Sequence, residues 1–192
     1  GRVHDRRAGE RIRDRGQIRF AVIALRLGHR RIGYIGDVPR NVAHVQTPQD
    51  RLTAFRATMA EAGLEPAVLR PEPSRGWWPD PEQIDPVLDR AWEAAAAPEA
   101  VMCSNDLLAA AVLSWARRRG LRVPRDLQVT GFDGSAASRI FCPELTTVVQ
   151  PYGAMAREAV AAILAAVDGE PLPAGTRELP ATIDWRETTR PA

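Results

Sequence analysis

The chain has 192 residues, of which 45% are hydrophobic, and this length and composition are typical of one full-sized globular domain. No apolar run approaches the roughly 18 residues of a membrane-spanning helix, and the arginine-rich residues 1–19 lack the apolar core of a secretory signal. The formal net charge of +2 is too small to indicate nucleic-acid binding by itself, although all 26 basic residues are arginine.

The cysteines and the first residues bear on the compartment. Cys103 and Cys142 lie in apolar stretches without metal-ligand spacing, so we expect two reduced, buried thiols in a cytoplasmic protein that holds no metal or cofactor. Arginines crowd residues 1–19, a charge run typical of a solvated, poorly ordered terminus.

The predicted elements alternate between helix and strand along the first half of the chain. They are assigned from apolar spacing, capping residues and turn signals. In chain order they are a helix over residues 17–27, a strand over 30–36, a helix from the capping sequence Thr47-Pro48-Gln49-Asp50 to Glu61 or Ala62, a weak strand over 66–70 and, after a turn-rich loop, a helix from Asp80 to about Ala96.

The second half continues the same alternation. Its predicted elements are a strand over residues 99–103, a helix over 105–119, strands over 127–132 and 145–150, a helix over 152–167 and one or two strands in the tail TRELPATIDWRETTR. A glycine ends each of four predicted helices, namely Gly28, Gly63, Gly120 and Gly169. Alternating strands and helices indicate βαβ units, so the predicted fold is α/β, one main domain with a parallel sheet flanked by helices.

Polar residues follow the predicted strands, and these positions suggest a binding site. In an open parallel sheet, ligands bind in the crevice beyond the carboxyl ends of the strands. The residues expected there are Arg51, Trp77, Trp78, Ser104, Asn105, Asp133 and Gln150. Polar side chains that pair with hydroxyl groups, beside an aromatic face that stacks on a ring, are typical of a small-ligand pocket.

Each of these residues also has a purely structural interpretation. Asn105 or Ser104 fits the N-cap of the helix that follows, and Asp106 is favoured at a helix start by the dipole. Asp133 fits an Asp-Gly turn. Arg51 fits a solvated helix position, and at least one of Trp77 and Trp78 fits the core. Their shared place at the strand ends favours the pocket.

Several sequence stretches resemble one family. GHRRIGYIG at 28–36, RLTAF at 51–55, CSNDLLAAAVL at 103–113 and GLRVPRDLQVTGFDGS at 120–135 are similar to the lactose-repressor (LacI/GalR) family of bacterial transcription regulators. PELTTVVQP and LPATIDWRETT continue the resemblance to about residue 190, whereas residues 1–27 match loosely.

The resemblance implies a two-lobed, periplasmic-binding-protein-like type I effector domain, of which residues 28–192 cover mostly the C-terminal lobe. It implies that Arg51, Asn105 and Asp133 bind the effector, together with Gln150 and one of Trp77 or Trp78. In the family a helix-turn-helix headpiece binds operator DNA, and we expect no headpiece in this chain. In the family, the helix equivalent to 152–167 packs on the N-terminal lobe, so we expect its apolar face to dock on a second copy of the chain or on residues 1–27.

Three functions follow from these expectations. The first is the effector-sensing and dimerisation part of a transcription regulator, whose effector is a mono- or disaccharide or, as second choice, a purine or nucleoside. The second is a sugar-binding protein of a transport system, which shares the fold. The third, an enzyme, is disfavoured because the sequence holds no nucleophile elbow, phosphate-binding loop or dinucleotide motif.

Overall fold

The computed structural model describes residues 24–25, 28–36, 46–71, 80–95, 97–172, 175 and 177–190. The strands are β1 (Ile32–Ile35), β2 (Ala67–Leu69), β3 (Ala100–Cys103), β4 (Gln128–Asp133), β5 (Thr146–Val149) and β6 (Thr182–Asp184). The helices are α1 (Gln46–Glu61), α2 (Pro81–Glu93), α3 (Asp106–Arg118) and α4 (Tyr152–Val167), with a 3-10 turn at Ala136–Arg139.

The six strands form one sheet in the order β2-β1-β3-β4-β5-β6. The first five strands are parallel, as predicted, and β6 pairs antiparallel with β5, for example Val148 with Ile183. The α/β fold class is confirmed. The tail contributes one short edge strand among the described residues.

Helices cover the two faces of the sheet because successive strand side chains point to opposite sides. On one side Ile32, Tyr34 and Met102 pack with Phe55 and Met59 of α1. On the other side the core joins the remaining strand residues to α2 and α3, and it includes Ile35, Val101, Ile84, Leu88 and Val112.

The helix ends agree with the sequence. Gly28, Gly63, Gly120 and Gly169 all have positive φ, between +68° and +88°, where a side chain is unfavourable. At the other end of a helix, the Asp80 carboxylate accepts from Glu82 N at 3.0 Å and Pro81 takes the first helical position. Helix α2 ends at Glu93, three residues before the predicted end.

Two expectations need correction or fall outside the described residues. Cys103 is buried, as predicted, but Cys142 is exposed, because it lies in the loop between the 3-10 turn and β5. The helix start predicted at Thr47 is one residue late, because α1 begins at Gln46 and Thr47 already lies inside the helix. Most of residues 1–27, and with them most of the helix predicted over 17–27, lie outside the described residues.

Helix α4 differs from the other helices because none of its residues is buried. It carries six large apolar side chains that are 45–77% exposed, namely Tyr152, Met155, Val160, Ile163, Leu164 and Val167. None of the helices that the structure describes is both long and apolar enough to cross a membrane.

Candidate functional site

The carboxyl ends of β1, β3, β4 and β5 meet at one edge of the sheet, and four of the predicted site residues lie there. Asn105 follows β3, Asp133 ends β4, and Gln150 follows β5. Arg51 reaches the same edge from α1, where its Nη1 donates to the Ser104 carbonyl oxygen at 2.6 Å. Trp77 and Trp78 lie outside the described residues, so their predicted part in the site stays a prediction.

The guanidinium of Arg51 is held from two sides. Its Cζ lies 3.8 Å from the centroid of the Phe132 ring, and its Nη1 is bonded to Ser104. Burial lowers the pKa of Arg51, and the negative charge of Asp133 opposes that shift. Among the described residues no acceptor bonds to its other N–H groups, so these are available to a ligand.

Asn105 takes the N-cap role that its position predicts. Its Oδ1 accepts from Leu108 N at 2.8 Å, which is the N-cap bond of α3. Within the described part of the chain, nothing bonds to its Nδ2. The structural interpretation of Asn105 is therefore confirmed, and the amide group is still left with a donor for a ligand.

Asp133 has an unfavourable backbone conformation. It is the one described non-glycine residue with positive φ, at +120°, and such a position costs about 1–3 kcal/mol. Gly134 follows with φ +69°, and a Cβ there would lie 2.8 Å from Val149 Cα. The turn therefore presses against β5 and brings the Asp133 side chain beside Gln150.

The Asp133 carboxylate is half-buried and only partly satisfied. Burial raises its pKa, while the Arg51 charge and a hydrogen bond from Gln150 oppose the rise. That bond runs from Gln150 Nε2 to Asp133 Oδ1 at 2.9 Å. No described residue donates to Oδ2, which leaves a carboxylate oxygen for ligand hydroxyl groups.

Tyr152 belongs to the same cluster, and the sequence analysis missed it. Gln150 Nε2 also donates to the Tyr152 hydroxyl at 2.9 Å, so both amide hydrogens of Gln150 are used and its Oε1 is left as an acceptor. Burial and then the charge of Asp133 raise the pKa of Tyr152. Its place two residues after Gln150 is the only signal that the sequence offers.

The arrangement presents donors from one side and acceptors from the other. Arg51 and Asn105 offer N–H groups, whereas Asp133 and Gln150 offer oxygens. A ligand with several hydroxyl groups matches this pattern because each hydroxyl both donates and accepts. The described residues include no group of three His, Cys, Asp or Glu side chains that could hold a metal ion.

Comparison with known proteins agrees with the fold and the motifs. The profile of the family described as "Periplasmic binding protein-like domain" matches residues 24–189. The ribose operon repressor of Bacillus subtilis is 33% identical over 151 residues, covering 79% of this chain and 45% of that protein. The HTH-type transcriptional repressor CytR of Escherichia coli is 38% identical over 93 residues, covering 48% of this chain and 27% of that protein.

Solved structures show the same fold. A dimeric Lac repressor with an 11-residue C-terminal deletion superposes with a TM-score of 0.76 at 22% identity, covering 91% of this chain and 60% of that chain. A LacI family transcriptional regulator from Silicibacter pomeroyi gives a TM-score of 0.75 at 24% identity, covering 92% and 62%. A mostly parallel sheet flanked by helices, with polar residues at its carboxyl edge, defines the fold as α/β of the periplasmic-binding-protein-like type.

The chain belongs to the periplasmic-binding-protein-like domain family, and the curated relatives named above are transcriptional repressors. Its matches span less than half the length of the curated relatives named above, 45% for the ribose operon repressor and 27% for CytR.

Proposed function

We propose that the chain is the effector-sensing part of a LacI-type transcription regulator and binds a small hydroxyl-rich effector at the carboxyl edge of its sheet. The observation that carries the proposal is that donors of Arg51 and Asn105 and acceptors of Asp133 and Gln150 lie at the same edge of the sheet. A sugar is the expected effector, and a purine or nucleoside is the second choice.

The charge of the site favours an effector without net charge. Arg51 and Asp133 bring one positive and one negative group, each partly buried, and each influences the pKa of the other. An anionic effector would be attracted by Arg51 and repelled by Asp133 at short range. A neutral sugar or nucleoside accepts from the guanidinium and donates to the carboxylate.

In the proposed mechanism the effector shifts an equilibrium between two states and is not transformed. Effector binding stabilises one arrangement of the lobes, and this changes the affinity of the regulator's headpieces for DNA. Such a regulator works in the cytoplasm. The named relatives are repressors, and this supports regulation over the alternative of a sugar-binding protein for transport.

We further propose that the chain forms a homodimer through α4. A helix with a broad apolar surface normally packs against another element, and burying a large apolar side chain contributes about 1.5–3 kcal/mol. The six exposed apolar residues of α4 therefore favour association with a second copy of the same surface.

Ligand-observed NMR with a panel of pentoses, hexoses, disaccharides and nucleosides tests the effector proposal, because it detects millimolar affinity. We expect binding of at least one compound by the wild-type chain, unchanged compound after prolonged incubation, and lost binding in Asp133→Asn. Failure of every compound to bind would contradict the proposal, and so would turnover.

A further inference from the structure

Asp106 is a buried acidic residue that the proposed effector contacts do not use. Its side chain is only 2% exposed, and it accepts two hydrogen bonds. Oδ1 accepts from Thr147 Oγ1 at 2.5 Å, and Oδ2 accepts from Ser135 N at 2.7 Å. No described basic side chain forms an ion pair with it. The helix dipole, which favours an acidic residue at this position, does not require its burial.

Asp106 packs closely against strand β4. Strand β4 passes so close that a Cβ on Gly131 would lie 2.3 Å from Asp106 Oδ1 and 2.8 Å from Leu145 Cδ2. Glycine at 131 therefore admits the carboxylate between α3 and the sheet. Since a buried acidic group is costly unless it is hydrogen-bonded, its two short bonds hold it in one position.

The two bonds join the segments that carry the candidate site. Asp106 follows Asn105 directly, Ser135 lies two residues after Asp133, and Thr147 lies three residues before Gln150. One carboxylate thus ties the start of α3 to the end of β4 and to β5. The Asp133 turn is the segment most in need of support, because its φ of +120° is unfavourable.

We propose that Asp106 is a positioning residue, which fixes Asp133 and Gln150 relative to Asn105 so that the cleft is formed before the effector arrives. This inference rests on the proposed function of those three residues. Asp106 touches no effector itself. It reduces the cost of binding by holding the polar groups in the bound geometry.

Two neighbouring threonines of β5 provide a matched test. Thr146 and Thr147 are both fully buried, and each makes hydroxyl hydrogen bonds. Thr147 Oγ1 donates to Asp106 and also accepts from Gly134 N at 3.4 Å, which adds to the support of the Asp133 turn. Thr146 instead bonds to Thr189 at 2.8 Å and to the Arg186 backbone. Thr147→Val and Thr146→Val remove the same hydroxyl group from the same strand, and only the first touches the link through Asp106.

The readout that does not depend on any ligand is the carboxyl titration of Asp133, followed by carbon-13 NMR. We expect Thr147→Val to lower the pKa of Asp133 toward its ordinary value of 3.8, because a released turn gives the carboxylate more water. Thr146→Val should leave it unchanged while lowering the melting temperature. An unchanged Asp133 titration in Thr147→Val would overturn the proposal.

Affinity for the panel compound that binds best gives the second readout. We expect Thr147→Val and Asp106→Asn to weaken it about tenfold, and Thr146→Val to preserve it. Equal affinity in Thr147→Val and Thr146→Val would also overturn the positioning role. If no compound binds the wild-type chain, the effector proposal fails while the titration still decides the role of Asp106. If Asp106→Asn does not fold, the threonine pair decides it.

Discussion

The guanidinium of Arg51 lies over the Phe132 ring, with its Cζ 3.8 Å from the ring centroid. Phe132 precedes Asp133 at the end of β4, so the stack ties α1 to the strand that carries the site carboxylate. The guanidinium also donates to the Ser104 carbonyl oxygen. Together, the ring contact and this hydrogen bond fix the direction in which the remaining N–H groups point.

Replacing Arg51 by lysine tests whether binding needs the oriented N–H donors of the guanidinium. Lysine keeps the charge but loses the guanidinium contact with the Phe132 ring and the second donor direction, so we expect affinity for the panel compound to fall about tenfold. The melting temperature should change little, because Arg51 is only partly buried. Arg56→Lys, at an exposed position of the same helix, is the control and should bind normally. Normal binding by Arg51→Lys would remove the arginine from the site.

Asp133→Asn removes the site charge and keeps the shape. Asparagine tolerates positive φ, so the turn should persist, whereas alanine would add strain at φ +120°. We expect at least about tenfold weaker binding in calorimetry, because an amide replaces the carboxylate acceptor. Asp126→Asn is the control, since that carboxylate pairs with Arg122. Equal loss of binding in both variants would argue against a specific role for Asp133.

The stability contributions of Asp133 and Asp126 should depend on pH in opposite directions. Asp133 has a raised pKa, whereas the bonds from Arg122 lower the pKa of Asp126 to about 2. The folded chain then binds more protons at Asp133, so its contribution to stability falls as pH rises from about 3.8 through the folded pKa. Stability from Asp126 is present above about 3.8 and is lost as pH falls through about 2.

The affinity for the effector should rise with pH as Asp133 ionises, whereas the stability contribution of Asp133 falls. The ionised carboxylate is the better acceptor, so affinity should rise with pH through the raised pKa of Asp133 and then level off. Affinity measured by NMR across this range, with the carboxyl shifts recorded in the same samples, checks both statements. An affinity that is constant while Asp133 titrates would contradict them.

Two glycine-to-alanine substitutions should act in opposite directions. At Gly131 the added Cβ would lie 2.3 Å from Asp106 Oδ1, so we expect denaturant unfolding to show a loss of about 1–3 kcal/mol. At Gly153, in the first turn of α4, the nearest atom is Arg157 Nη1 at 3.5 Å. Alanine there should raise stability by up to about 1 kcal/mol. A harmless Gly131→Ala would refute the close packing around Asp106.

Self-association through α4 predicts a difference between two exposed isoleucines. Ile163 lies on α4 and is 60% exposed, whereas Ile140 lies after the 3-10 turn and is 82% exposed. Analytical ultracentrifugation should show a concentration-dependent dimer for the wild type and Ile140→Ser, and a monomer for Ile163→Ser. A wild-type chain that stays monomeric at high concentration would refute the α4 dimer.

Local signals were enough to predict most of the fold. The four helix-ending glycines, the Asp80 cap and the buried strands depend on residues close in sequence, and all are present. The common edge of Arg51, Asn105, Asp133 and Gln150 followed from parallel topology, because strand ends converge in any such sheet.

Features that depend on distant contacts escaped prediction. Asp106 meets Thr147 and Ser135 only after β4 and β5 are in place, and Phe132 receives Arg51 from a different layer. The exposure of Cys142 depends on how its loop leaves the sheet, which an apolar sequence context does not report. Tyr152 joins the site because α4 begins immediately after β5.

The most direct test of the account is chemical-shift mapping on nitrogen-15-labelled chain, with the panel sugar or nucleoside that binds best. We predict shifts concentrated at the backbone amides of Ser104, Asn105, Asp133, Gly134 and Gln150, with no change at the far edge around Thr146 and Thr188. Saturable shifts centred elsewhere, or none at these positions, would contradict a ligand cleft at the carboxyl edge of the sheet.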